Sequence, residues 1–117
     1  MYSAMRHKAH LKCCLPGKQR GQKEQILWSG DKVDVYFVES ALAVEVKTQD
    51  ARFDELHRGI FQCVKYKAVL RAQQIHDQKV PSADCVLAVG GKLPNGLQEI
   101  ASLLQVRFFQ NLADFVK

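Results

Sequence analysis

The chain has 117 residues, 47% of them apolar, enough for one domain with a real core. Its 17 Lys and Arg outnumber 12 Asp and Glu, a formal charge of +5. No apolar run approaches the roughly 20 residues of a membrane span, no stretch has the pattern of a secretory signal, and the balance of apolar to charged residues excludes a disordered chain.

The first 23 residues hold Arg6, Lys8, Lys12, Lys18, Arg20 and Lys23 and no acid. The other 94 residues carry 11 cations and 12 anions, a net of −1. The excess charge is therefore an N-terminal basic arm, residues 1–23, with a body over 24–117. Such an arm is either a soluble, loosely ordered start or a contact for phosphates, with Lys18, Arg20 and Lys23 the candidate nucleic-acid-binding residues. A short helix is conceivable over 3–13, before the breakers Pro16, Gly17 and Gly21.

From residue 25 the pattern predicts strands. Residues 25–29 form an apolar run closed by Gly30-Asp31, and residues 33–38 and 41–47 are rich in β-branched and aromatic side chains. A long helix follows over 52–76, capped by Thr48 or Asp50. Leu56, Ile60 with Phe61, Val64, Ala68 and Ile75 are its expected apolar stripe. Residues 84–89 read as a buried strand closed by Gly90-Gly91 and residues 95–104 as a short helix. Residues 105–109 read as a last strand and 111–116 as a final helical turn. The order predicts an α/β fold: an antiparallel three-strand meander, a crossover helix and a further, parallel strand in a mixed sheet.

Cys13, Cys14, Cys63 and Cys85 fit no C-x₂-C zinc spacing. Cys63 and Cys85 sit in apolar settings and read as buried small residues; an iron–sulfur cluster is disfavoured for want of four available ligands. Free thiols without an export signal suit a reducing, cytoplasmic setting.

If strands 33–38 and 41–47 pair about Glu39-Ser40, opposed residues sum to 79. Tyr36 then faces Ala43 and Asp34 faces Glu45. Glu-Ser is a poor two-residue turn, but a longer loop with the same centre keeps this register. Val33, Val35, Phe37, Leu42, Val44 and Val46 share one wholly apolar face. Asp34, Glu45 and Lys47 share the other. Two adjacent carboxylates repel unless a cation sits between them. A hard divalent ion does that, with the Val46 backbone carbonyl as a third oxygen. Lys47 is then placed to orient or deprotonate a bound water. Taken alone, the pattern also suits a solvated Glu45–Lys47 ion pair.

With Asp34 and Glu45-Val46-Lys47 on consecutive strands, the chain resembles the PD-(D/E)XK nuclease superfamily. Gln62-Cys63-Val64-Lys65-Tyr66 on the following helix is similar to the Q-x-x-x-Y motif of its RecB-like branch. Gln62 and Tyr66 share a helix face, which Arg58 extends. The resemblance covers about residues 24–90. It implies a restriction-endonuclease-like fold and catalysis by Asp34, Glu45 and Lys47. It further implies Mg²⁺, with Mn²⁺ as a substitute, on Asp34, Glu45 and Val46, and Gln62 and Tyr66 beside the active site. The implied activity is a metal-dependent deoxyribonuclease on DNA, an endonuclease acting as a homodimer or within a larger assembly. Arg58 joins the DNA contacts. The alternative is a nucleic-acid binder of the same fold without catalysis, and a third reading is an interaction protein. Val33 stands where the family has proline. The family's first helix, which often adds a metal ligand, has only Glu24, His7 or His10 as candidates here.

Overall fold

The computed structural model describes residues 22–113. The conceivable helix over 3–13, the cations of the arm up to Arg20, His7, His10, Cys13 and Cys14 lie outside the described residues. So does the second half, 114–116, of the helical turn expected over 111–116.

Among the described residues, five strands form one sheet in the order β1-β2-β3-β4-β5. They are β1 Gln22–Ile26, β2 Lys32–Phe37, β3 Leu42–Lys47, β4 Asp84–Val89 and β5 Phe108–Phe109. The first three form an antiparallel meander, and β4 and β5 add in parallel. Helix α1, Phe53–His76, connects β3 to β4, and α2, Asn95–Leu103, connects β4 to β5. This is the expected α/β mixed sheet with helical crossovers, because parallel neighbours cannot be joined by a hairpin.

Strand β1 begins and ends earlier than expected. Residues 27–31 form the turn instead: Leu27 N–H donates to the Asp31 carbonyl at 2.8 Å, and Gly30 takes φ +88°. Lys23 and Glu24 therefore lie within β1. Strands β2 and β3 pair as expected, with Val35 opposite Val44, Tyr36 opposite Ala43 and Phe37 opposite Leu42. Residues 38–41 make the longer loop with the same centre, and Ala41 absorbs the reversal with φ +51°.

One face of the sheet buries Val35, Phe37, Val44, Val46, Val86 and Ala88. Val33 departs from that set. Beyond the last β2–β3 pair it packs with Leu27 in the core under α1. The α1 side of the sheet carries Ala43, Cys85, Leu87 and Val89, against Leu56, Ile60, Cys63, Tyr66 and Leu70.

The buried stripe of α1 corrects the sequence reading. Leu56, Gly59, Ile60, Cys63, Tyr66 and Leu70 face the sheet, whereas Phe61, Val64, Ala68 and Ile75 are exposed. The helix carries two apolar stripes, and the one with small Gly59 and Cys63 lets it approach the sheet. The start of α1 differs too. Arg52 is the N-cap, and its N–H donates to the Glu55 carboxylate at 3.4 Å, so neither Thr48 nor Asp50 caps the helix. At the other end Arg71 Nε donates to the Ala83 carbonyl and Gln74 Oε1 accepts from Ala83 N–H, both at 2.8 Å, fixing the approach to β4.

Gly59 marks a close contact of helix and sheet. A Cβ there would lie 3.0 Å from Lys47 Cε and 3.1 Å from Leu87 Cδ1. Gly59→Val is expected to cost ~1–3 kcal/mol through overpacking. Urea unfolding checks this, and an unchanged midpoint contradicts the packing described.

Candidate active site

The site lies where β2 and β3 part. The next hydrogen-bonded pair in the register would bring Val33 opposite Val46. The Asp34 carboxylate takes the Val46 N–H instead, at 2.9 Å. In an extended strand the N–H and C=O of one residue leave on the same edge, and successive residues alternate edges. Lys47 directs its carbonyl to β4, where it accepts from Gly90 N–H at 2.8 Å. Val46 therefore directs its carbonyl to the β2 edge, into the gap that Asp34 occupies.

Glu45 is the one charged side chain in the buried set of the described residues, at 6% exposure. Lys47 Nζ lies 3.6 Å from its Oε2, and the lysine side chain is itself only 17% exposed. This is not the solvated ion pair that the bare pattern allowed. A buried pair forfeits hydration on both partners and is weak evidence for stability alone. The stem of Lys47 runs past Gly59, which has no side chain to obstruct it.

Helix α1 closes the site from above. Tyr66 is buried at 5% exposure. Burial pushes its phenol well above the ordinary range, and the charges of Glu45, Asp31 and Asp34 push the same way. These three carboxylates thus converge electrostatically on one hydroxyl. Gln62, one turn earlier, is half-buried, and its Oε1 is fully enclosed with no hydrogen-bond partner. An enclosed orphan acceptor costs ~1–3 kcal/mol, a cost that a bound water, ion or ligand donor relieves. Arg58 is exposed on the same helix.

Asp31 also belongs here, although three residues before Asp34 on a continuous extended strand it would point to the opposite side of the sheet. It sits in the turn before β2, where strand alternation does not apply. It bonds the Ser29 hydroxyl and pairs with Lys65 Nζ at 2.9 Å. The Ser29 hydrogen bond and Lys65 hold its carboxyl below the usual range. Lys65 was missed because only the turn's fold brings Asp31 over α1. Gly59 had a signal, as the lone glycine of the predicted helix.

Among the described residues no group of three or more His, Cys, Asp or Glu is placed to hold a metal ion. The donors at hand are the Asp34 and Glu45 carboxylates and the Val46 carbonyl. That set suits Mg²⁺, which keeps several waters and takes one or two carboxylates, and does not suit a closed protein cage. Glu24 lies in β1; His7 and His10 lie outside the described residues. Cys63 and Cys85 are buried free thiols. The Cys63 thiol beside it and burial push the Cys85 thiol up, so Cys85 serves as a neutral packing residue. No helix among the described residues is long and apolar enough to cross a membrane.

Comparison with protein-family models, with curated proteins and with solved structures finds no match for this chain.

The raised Tyr66 phenol sets a sign for alkaline stability. The folded state keeps this proton where the unfolded chain releases it. Its contribution is constant below the free phenol range, and stability falls as pH rises past about 10. Difference absorbance between the wild type and Tyr66→Phe is expected to show no Tyr66 ionisation near that pH while the chain stays folded. A phenolate step there in the folded protein contradicts the buried, carboxylate-facing placement.

Proposed function

We propose that the protein is a metal-dependent nuclease that hydrolyses phosphodiester bonds in DNA, with a restriction-endonuclease-like fold and Asp34, Glu45 and Lys47 as its catalytic set. The observation that carries this reading is the buried Glu45–Lys47 pair beside the gap where Asp34 takes the Val46 N–H. A stabilising core rarely holds this much charge at the end of two apolar strands. The enclosed Gln62 oxygen and the buried Tyr66 support the same reading, because both come from the helix that the sequence resemblance assigns to the active site.

Asp34, Glu45 and the Val46 carbonyl would hold Mg²⁺, or Mn²⁺ in its place. When bound, the ion neutralises phosphate charge and makes a bound water more acidic. The protein's own groups do the rest. Asp34 keeps the β2–β3 gap open by taking the place of a ladder carbonyl. Lys47 presents its ammonium next to Glu45, where it orients the attacking water and offsets negative charge that develops on phosphate oxygens. Gln62 offers an acceptor and an amide donor to water or phosphate, and the Tyr66 phenol stays protonated as a donor. The cations of residues 1–23, with Arg58 on α1, supply affinity for the phosphate backbone in a salt-dependent manner. Duplex cleavage needs two such sites, through a homodimer or a larger assembly.

The test compares duplex, single-stranded and branched DNA with Mg²⁺, Mn²⁺ or chelator. Asp34→Asn keeps an acceptor for Val46 N–H and removes the charge. Lys47→Met keeps the stem against Gly59 and removes the ammonium. Each is expected to lower cleavage by ~10²-fold or more with the fold intact by circular dichroism. Wild-type cleavage in either folded variant overturns the assignment. Salt-sensitive DNA binding with no cleavage under any metal replaces it with the non-catalytic binder.

A further inference from the structure

The turn between β1 and β2 holds Trp28, the chain's single tryptophan, 62% exposed to solvent. An exposed indole is unusual on a turn so firmly built. Trp28 N–H donates to Gln73 Oε1 at 2.8 Å, across to α1. The His76 ring meets the indole edge to face, with centroids 4.8 Å apart at 81°. The turn itself is closed by the Leu27–Asp31 and Gly30–Leu27 backbone bonds, and Asp31 is tied to Lys65 on α1. The indole is thus held at its backbone and braced by one neighbour, yet most of its surface is left open. Rigid, exposed aromatics of this kind suit recognition, since little conformational freedom remains to be lost on binding.

Its position relates it to the site. Gln73, which holds the Trp28 backbone, and His76, which meets its ring, lie seven and ten residues beyond Tyr66, about 10 to 15 Å along α1. That is about three to four nucleotide rises of ~3.4 Å along a stacked strand. The turn that carries Trp28 also carries Asp31, whose charge is felt at Tyr66.

We infer that Trp28, braced by His76, is a stacking platform for an unpaired nucleobase about three to four nucleotides from the bond at the Asp34–Glu45–Lys47 site. This rests on the nuclease reading and refines its substrate: DNA with a single-stranded stretch beside the cleaved bond. A base inside a duplex has both faces stacked on its neighbours, whereas an unpaired base offers a face to an indole at little cost.

The test uses the full chain in chelator, so that binding is read without cleavage. Because Trp28 is the one tryptophan, its emission reports on this position alone. A single-stranded oligonucleotide is expected to quench it saturably, and a blunt duplex of the same sequence is not. Trp28→Ala is expected to weaken single-strand binding, read by anisotropy of a labelled oligonucleotide, by about 5- to 150-fold. Trp28→Phe should recover most of that loss, so a folding defect in the alanine variant does not decide the matter. Unchanged affinity in folded Trp28→Ala, or equal quenching by the duplex, overturns the platform. Cleavage measured in parallel separates the two claims. Metal-dependent cleavage without quenching removes the platform and keeps the nuclease; quenching without cleavage in any metal does the reverse.

Discussion

The Asp34 carboxylate, bonded to Val46 N–H where a strand carbonyl would otherwise sit, is the interaction on which the arrangement turns. It ends the β2–β3 ladder while still satisfying a backbone donor that would be costly to leave bare. By ending the ladder there, it opens an edge of β3 next to Glu45 and Lys47. The central strand is otherwise committed to packing: Ala43, Val44 and Val46 are buried, on two different faces. Charge enters this strand only at the end where a gap exists to receive it.

The helix above is shaped by the same demand. Gly59 gives room to the Lys47 stem, and Cys63 and Tyr66 continue the buried stripe towards Cys85 and the carboxylates. A bulkier residue at 59 would separate helix from sheet or displace the lysine. Helix contact, lysine position and the enclosed Gln62 oxygen are therefore one packing solution. The β1–β2 turn completes it from the side, with Asp31 on Lys65 and Trp28 on Gln73.

Much of this was legible in the residues. The β2–β3 register followed from the period of two and the centre of the loop, and it survived a longer loop because its centre did not move. That register pointed to Asp34 and Glu45 as opposed residues; the ladder ends one pair short of them, at Val35–Val44, and the Asp34 carboxylate meets the Val46 N–H instead. The face of α1 was not legible, because Phe61, Val64, Ala68 and Ile75 form a second apolar stripe as convincing as the buried one. Packing against Lys47 and Leu87 chose between them. The Asp31–Lys65 pair was hidden for a related reason: it depends on a turn closed by backbone bonds, including Leu27 to Asp31, where the sequence pattern suggested a longer strand.

As a metal-dependent nuclease, the protein must hold a divalent cation on Asp34 and Glu45. Titration of the intact protein with Mn²⁺, followed by the loss of the free-ion paramagnetic resonance signal, tests this directly. Saturable binding is expected, which Mg²⁺ competes away and which either Asp34→Asn or Glu45→Gln abolishes in a folded protein. Saturable binding that survives both substitutions, or no binding to the wild type, would contradict it.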